Sequence, residues 1–282
     1  MAIKVGFHVS IAGGISNSVD NAEKIGCTAF QIFSRNPRGW AAKPLAPDDV
    51  RLFRHKLEAS GIEKNAILVH MPYLPNLSGP DGETYTKSVE TLTGEMQRTN
   101  ALGIQYLVIH LGTHKGIGQE SGIGQLVKAI EIAKDKSKDG PVVLLETNAG
   151  HSDRIGNNFE ELRLILDRLD SKKFGVCVDT CHLFASGYDL RRKADVDKTL
   201  EKFDNTVGLN ELKFVHLNDS KGVLGSHLDR HDHIGLGMIG AEGLGAFLNH
   251  RAIRGLPVIM ETPVDEKRGD EQNLKVVLSL IK

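Results

Sequence analysis

The chain has 282 residues, of which 40% are hydrophobic and 25% charged, and its formal net charge is −1. This composition is typical of a globular protein with a large core, and the charge excludes binding to nucleic acid through a global excess of positive charge. Three cysteines are too few for a disulfide framework, and we find neither a secretory signal nor an apolar run of membrane-spanning length. We therefore expect a cytoplasmic protein with no membrane partner.

The predicted elements alternate between short β-branched runs and amphipathic segments. The predicted strands are Ile3–Val9, Ala29–Phe33, Ala66–His70, Gln105–His110, Pro141–Glu146, Phe174–Asp179, Lys213–Leu217 and Pro257–Glu261. The predicted helices are Ile15–Ile25, Pro47–Ser60, Thr84–Leu102, Ile123–Lys138, Phe159–Leu169, Val196–Val207, Gly243–Asn249 and Glu271–Ile281. Eight strand–helix units favour a closed (βα)8 TIM barrel of the α/β class, with an open doubly wound sheet as the alternative. Because no linker or repeat interrupts the pattern, we expect residues 1–282 to form a single domain.

Six of the predicted strands have a side chain that can bind a metal at their carboxyl end, either as the last residue or, for His216, as the second-last residue. These residues are His70, His110, Glu146, Asp179, His216 and Glu261, and each lies between 33 and 45 residues from the next. That spacing is about one barrel unit, so all six side chains should lie at the carboxyl ends of the strands, where barrel active sites are built. Buried apolar strands rarely need such an ending for stability. The set therefore predicts a metal site on one face of the barrel.

The segment from Phe214 to Gly237 adds further candidates. It passes from an apolar run into a glycine-rich loop that holds four of the twelve histidines. Asp229 and His231, two residues apart, can point to the same side of an extended loop. His182 follows Asp179 by three residues, which lets both side chains reach one centre if the chain is helical there. Chance clustering on a solvated loop is the alternative for this segment taken alone.

Together the candidates are five histidines and four carboxylates, which is too many for one metal. Two or three ions with a bridging carboxylate would use them all. Imidazole and carboxylate without thiolate suit Zn²⁺, and Mn²⁺ or Fe²⁺ are alternatives. Clustered divalent metals indicate hydrolysis, most often of a phosphate ester, because one ion activates a water and another neutralises the departing oxygen.

Several motifs resemble the endonuclease IV family of metal-dependent apurinic/apyrimidinic (AP) endonucleases. The resemblance runs from HVSIAGG (8–14) to METP (260–263) and includes VH (69–70), VIHLG (108–112) and LETNAG (145–150). Two longer motifs are the most specific, VDTCHLFASGYD (178–189) and HLNDSKGVLGSHLDRHDHIGLGMIG (216–240). Matching residue types stand at all nine ligand positions of the family.

The resemblance implies a TIM barrel with three zinc ions, with Mn²⁺ as a possible substitute. It implies cleavage of the phosphodiester 5′ to an abasic site in double-stranded DNA, leaving a 3′-hydroxyl and a 5′-deoxyribose phosphate. We also expect a monomer. The implied ligands are His70, His110 and Glu146 for the first zinc; Glu146 as a bridge with Asp179, His216 and Glu261 for the second; and His182, Asp229 and His231 for the third. Glu261 and Glu146 are the implied catalytic residues, and Glu261 would orient or deprotonate the attacking hydroxide.

The resemblance also implies that Arg38, Tyr73 and Leu74 contact the DNA and fill the gap that the missing base leaves in the stack. The alternatives are a solvated loop arginine and a packing pair at the rim. Two departures bear on DNA contact, namely Gly39, where the family often has a larger polar residue, and His151-Ser152, where Gln-Gly is common.

His227 and His233 match no ligand position and are expected to be loop histidines or donors of hydrogen bonds to the ligands. His8 and His114 are candidates either for supporting the ligands or for contacting a phosphate. The cysteines that flank Asp179 are expected to be small buried hydrophobic residues.

Two other functional classes remain open. A sugar isomerase or epimerase on a similar barrel would use one or two metals at the strand ends, and a DNA-damage-binding protein without catalysis would not need nine ligands.

Overall fold

The structure, a computed structural model, describes residues 3–138, 140–151, 153–169 and 173–282. Eight parallel strands close into a barrel. In chain order they are β1 (Val5–His8), β2 (Ala29–Phe33), β3 (Ile67–His70), β4 (Tyr106–Ile109), β5 (Val142–Glu146), β6 (Phe174–Asp179), β7 (Leu212–His216) and β10 (Val258–Met260). Two short strands, β8 (Asp219–Ser220) and β9 (His231–Asp232), form a separate antiparallel pair. The predicted TIM barrel is confirmed, and β10 closes it against β1.

The helices are α1 (Asn17–Ile25), α2 (Pro47–Ser60), α3 (Glu83–Leu102), α4 (Gln119–Ser137), α5 (Phe159–Arg168), α6 (Thr180–Ala185), α7 (Lys193–Thr206), α8 (Gly240–Asn249) and α9 (Asp270–Leu280). The predicted elements did not include α6 as a separate helix. The Asp179 side chain caps it by accepting the backbone N–H of His182 at 2.8 Å. An Asp at this position satisfies one of the amide groups that a helix start leaves without an intrahelical partner.

The apolar residues form two separate clusters. The larger one lies between the strands and the surrounding helices. The smaller one fills the barrel interior and consists of Ala29, Ala66, Leu68, Val108, Leu144, Cys177, Phe214 and Ile259, all of them fully buried. Since side chains alternate across a strand, a residue two positions after an interior residue also points inward. We call this interior cluster the floor. The next inward-pointing residues form a second layer, closer to the carboxyl ends of the strands.

That next layer contains all six predicted strand-end ligands. Leu68, Val108 and Leu144 lie two residues before His70, His110 and Glu146, and the same spacing separates Cys177, Phe214 and Ile259 from Asp179, His216 and Glu261. The predicted carboxyl ends of β4, β7 and β10 were each one residue too far along the chain, so that His216 is the last residue of β7. His110 and Glu261 are the first residues after β4 and β10.

Candidate metal centre

The structure gathers the nine predicted ligands at the carboxyl end of the barrel. Within each of three groups, the potential ligand atoms all lie within 4.8 Å of one another. The groups are His70, His110 and Glu146; Glu146, Asp179, His216 and Glu261; and His182, Asp229 and His231. We call them the first, second and third groups. Glu146 belongs to two of them, as a bridging carboxylate would. His182 and Asp179 lie in different groups, so their three-residue spacing serves two neighbouring centres and not one.

In each group, imidazole nitrogens face carboxylate oxygens. His110 Nε2 and His70 Nε2 lie 3.0 and 3.4 Å from Glu146 Oε2, and His216 Nδ1 lies 3.0 Å from Glu146 Oε1. In the third group, His182 Nε2 lies 3.1 Å from Asp229 Oδ1, and His231 Nε2 lies 3.7 Å from the same oxygen. Both oxygens of Glu146, and Oδ1 of Asp229, thus meet at least one imidazole nitrogen.

The outer nitrogens of three histidines show that this arrangement suits a cation. The Nδ1 atoms of His70, His182 and His231 lie 2.6, 2.8 and 3.1 Å from the backbone carbonyl oxygens of Met71, Thr147 and Glu261. A carbonyl oxygen only accepts, so each Nδ1 carries a proton and donates it. Metal binding requires the neutral ring, in which Nε2 then holds a lone pair that points at a carboxylate. A divalent metal between such groups would satisfy both.

Buried polar atoms without a hydrogen-bond partner also indicate that the arrangement suits a cation. Among the described residues they include Glu146 Oε2, His182 Nε2 and His231 Nε2. Buried polar atoms of native proteins nearly always have a partner, and leaving one without a partner costs about 1–3 kcal/mol. These three atoms all belong to predicted ligands. The residues present therefore fit divalent metal ions.

Gln31 orients the second group, although the sequence analysis did not single it out. Its Oε1 lies 2.8 Å from His216 Nε2, while its Nε2 donates to Glu261 Oε1 at 2.7 Å and meets His8 Nδ1 at 2.8 Å. With His216 Nε2 donating to Gln31, the Nδ1 atom is left free to face Glu146. A fully buried polar residue two positions after Ala29 in an otherwise apolar strand was the available sign.

Asp219 holds the loop of the third group. Its fully buried carboxylate accepts backbone N–H groups from Ser220 at 2.8 Å, Gly235, Gly237 and Ile239 at 3.0 Å, and Gly240 at 3.2 Å. Next to it, β8 pairs with β9 so that Ser220 lies opposite His231. The position of His231 therefore depends on a carboxylate that is not itself in any of the three groups.

The surrounding charges keep the central carboxylates ionised. Burial alone would raise the pKa of Glu146, but His110 and His216 beside it hold this pKa well below its usual range. For Glu261, burial is likewise outweighed by His216, His8 and His70, so its pKa is also held well below the usual range. Ionised carboxylates are the form that binds metal.

The potential ligand atoms of Asp179, Cys181 and His231 also lie within 4.8 Å of one another. Burial raises the pKa of the Cys181 thiol, which keeps it protonated. Its Sγ lies 3.7 Å from the carbonyl oxygen of Arg230, to which the thiol donates. Cys177 is also buried, with its pKa raised to about 11 by that burial. Both cysteines are thus protonated and buried, as the sequence analysis expects.

Three comparisons place the chain among known proteins. Residues 19–282 match a family model described as xylose isomerase-like TIM barrel. A probable endonuclease 4 of Cenarchaeum symbiosum is 52% identical over 279 residues, covering 99% of each chain, and one of Nitrosopumilus maritimus is 49% identical, covering 97% of this chain and 98% of the relative. The crystal structure of endonuclease IV from Thermus thermophilus superposes with a TM-score of 0.87 at 36% identity, covering 98% of both chains. The chain belongs to the endonuclease IV family.

Solved structures with other names also share the architecture of this chain. The crystal structure of a 3-keto-D-glucoside 4-epimerase from E. coli has a TM-score of 0.71 at 12% identity, covering 99% of both chains. A likeness at this identity shows the fold alone. Among the described residues, no helix has the length and apolar character needed to cross a membrane.

The three predicted DNA contacts lie on loops after β2 and β3. Tyr73 and Leu74 are 56% and 40% exposed, although both are large hydrophobic residues. The Tyr73 ring packs edge-on against Phe33 at 5.1 Å and lies 5.9 Å from the His110 ring, so it borders the first group. Arg38 is exposed, and its backbone N–H donates to Asn36 Oδ1 at 3.0 Å. The structure thus brings Tyr73 next to the first group and leaves Arg38 and Leu74 open to solvent.

A buried ionic network anchors the loop that carries Arg38. Ser34 Oγ donates to Glu95 Oε2 at 2.6 Å, and Arg98 Nε donates to Ser34 Oγ at 2.7 Å. Arg35 lies with its Nε 3.8 Å from Glu95 Oε1 and donates to carbonyl groups of the same loop. Glu95 is fully buried on α3. Sequence reasoning missed this network because its members are about sixty residues apart.

The remaining histidines lie outside the three groups. His233 is fully buried between Asp265 Oδ1 at 2.9 Å and Asn273 Nδ2 at 3.1 Å, and it thereby ties the loop of the third group to the segment before α9. His227 is exposed, with its Nδ1 3.3 Å from the Ala149 carbonyl oxygen. Of the two departures named above, Gly39 and His151 are described, whereas Ser152 lies outside the described residues.

A groove of about 1060 Å³ lies outside the barrel between α7, α8 and α9. None of the predicted site residues lines it. Since the ligand chemistry is concentrated at the barrel mouth, we assign the functional site to the mouth.

Proposed function

We propose that this member of the endonuclease IV family is a DNA repair endonuclease. It hydrolyses the phosphodiester 5′ to an abasic site in double-stranded DNA and leaves a 3′-hydroxyl and a 5′-deoxyribose phosphate. The observation that carries the proposal is that nine candidate ligand side chains form three neighbouring groups. In these groups, buried imidazole nitrogens and carboxylate oxygens without hydrogen-bond partners face one another. Family membership supports the substrate class.

In this proposal the three groups hold three Zn²⁺ ions, and Mn²⁺ could replace them. Bound ions of this kind lower the pKa of a water and neutralise a departing oxygen. The first group would use His70, His110 and Glu146, with Glu146 shared by the second. The chemistry of the donors supports zinc, because imidazole and carboxylate atoms dominate and the nearby thiol is protonated.

Glu261 is the proposed proton acceptor. Its carboxylate is ionised for the reasons given above and is held from two sides, by Gln31 at 2.7 Å on Oε1 and by His216 at 3.5 Å on Oε2. A carboxylate fixed in this way can orient the attacking water and take its proton without reorganising during the reaction. Glu146 lies beside His216 and maintains the shared position of the first two groups.

Recognition of the damaged site is proposed to use exposed side chains at the rim. A nucleotide without a base costs less to extrude from the duplex, because pairing and part of the stacking are already lost. Tyr73 and Leu74 present apolar surface that can occupy the space left by the missing base, and Arg38 presents a positive charge to the DNA backbone. We also propose that the enzyme is monomeric and cytoplasmic, as the sequence analysis expects.

The proposal is tested with a duplex that carries one tetrahydrofuran abasic analogue. We expect incision 5′ to the analogue, a 3′ end that a polymerase extends, and no cut in the undamaged duplex. Metal analysis of the same preparation should give three zinc ions per chain. Absence of incision by zinc-loaded protein would refute the proposal. One ion per chain, with turnover of a ketose, would support the isomerase or epimerase class instead.

A further inference from the structure

The loop between β5 and α5 places Arg154 at the edge of the third group. Arg154 Nη1 lies 3.8 Å from Asp229 Oδ2, and each of the two side chains is 37% exposed. The other carboxylate oxygen, Asp229 Oδ1, faces His182 and His231. The guanidinium therefore lies on the solvent side of Asp229, opposite the imidazoles.

The Arg154 backbone is held in place from three directions. Its N–H donates to the His151 carbonyl oxygen at 3.0 Å, and its own carbonyl oxygen accepts from Asn157 Nδ2 at 2.8 Å. An antiparallel bridge also joins Arg154 to Thr113, on the loop after β4. Because two loops share this bridge, the arginine projects from a fixed point next to the candidate metal centre and not from a free loop tip.

The donors of this fixed guanidinium are unused in the described part of the chain. The 3.8 Å separation from Asp229 is an ion pair without a hydrogen bond, and no other described acceptor receives a hydrogen bond from the guanidinium. A partly exposed ion pair of this kind contributes little to stability, about 0–1 kcal/mol. Stabilisation of the fold thus does not explain why a fixed arginine stands here.

We propose that Arg154 binds a backbone phosphate of the DNA substrate at the rim beside the third group. A planar guanidinium offers two parallel N–H donors that match two phosphate oxygens. The rim position indicates a phosphate that flanks the cleaved one, because the buried carboxylates Glu146 and Asp179 lie deeper in the barrel mouth than the half-exposed Arg154. The inference rests on the proposed function, since it assumes a DNA substrate at this mouth.

A flanking phosphate contact predicts an effect on binding and little effect on chemistry. Arg154→Ala should raise KM for the abasic duplex roughly 10-fold and leave kcat within about twofold. It should also reduce the slope of log KM against log salt by about one, because one fewer counterion is released. Arg154→Lys should keep the salt slope and recover part of the affinity, since the charge remains and the two-pronged contact is lost.

Arg251→Ala is the matched control. Arg251 is also exposed, but it lies between α8 and β10, at the amino-terminal end of the barrel strands. Removing its charge changes the net charge of the protein by the same amount as Arg154→Ala. It should leave both KM and the salt slope unchanged, so a loss confined to Arg154→Ala reports a local contact.

Two results would overturn the inference. One is wild-type KM and wild-type salt slope in Arg154→Ala. The other is a loss of one metal ion per chain with an unchanged salt slope, which would show that Arg154 orients Asp229 and does not bind phosphate. If instead the zinc-loaded wild type fails to incise the abasic duplex, the proposed function itself fails. The wild-type measurement therefore separates the two failures.

Discussion

Replacing Asp219 by Asn should strongly destabilise the loop of the third group. Oδ2 accepts backbone N–H groups from Gly235, Gly237 and Gly240, and Oδ1 accepts those of Ser220 and Ile239. Asparagine has one oxygen, so in either orientation its NH2 group faces at least two backbone donors. Each buried donor left without an acceptor costs about 1–3 kcal/mol, which gives about 2–6 kcal/mol for the pair.

Urea unfolding measures this loss, and Asp204→Asn is the control. Asp204 is exposed and accepts a single backbone N–H, from Leu209 at 3.0 Å, so its replacement should cost less than about 1 kcal/mol. Metal analysis of Asp219→Asn should also show weaker retention of one ion, because His231 is positioned by pairing with Ser220. If the Asp219 and Asp204 variants unfold at the same urea concentration, the reasoning about the carboxylate is wrong.

Three further predictions concern the chemistry and its support. Glu261→Gln should keep abasic-duplex affinity in a gel-shift assay and lose about 10²–10³-fold in kcat, because the proton acceptor is removed; wild-type turnover would contradict its role. Gln31→Leu should weaken metal binding about 10–100-fold, measured by competition with a chelator, since His216 loses the acceptor that fixes its ring; unchanged metal affinity would exclude an orienting role. Glu95→Gln should raise KM several-fold with little change in kcat, as the loop that carries Arg38 loosens; steady-state kinetics that match the wild type would show that the network does not serve DNA binding.

The barrel and its ligand layer could be predicted from the sequence because both repeat. An apolar strand that closes on a histidine or carboxylate, once per barrel unit, is visible without tertiary information, and the structure confirms the strands. Gln31 was missed because its strand ends on Phe33 and not on a ligand. Gln31 nevertheless lies two residues after Ala29, so its side chain points into the barrel as the six strand-end ligands do.

Other parts of the site depend on contacts that no local pattern contains. The five amides around Asp219 come together only when the loop folds back from Gly235 to Gly240. The anchoring of the Arg38 loop needs Glu95 on a helix that packs against it. Six residues are also too few for α6 to show a helical period, so its presence depended on recognising Asp179 as a cap.

The two-residue step between the interior floor and the ligand layer limits how such a centre can change. Inserting or deleting one residue within a strand would turn its ligand to the helix-facing side, because side chains alternate. Exchanging a side chain in the ligand layer leaves the strand, its register and the floor intact. Metal number and ligand type on this scaffold can therefore be altered without changing the strands. The eight inward positions at this level are nevertheless coupled, because Gln31 contacts His216, Glu261 and His8, and Glu146 belongs to two groups. Redesign of one position therefore has to include its neighbours.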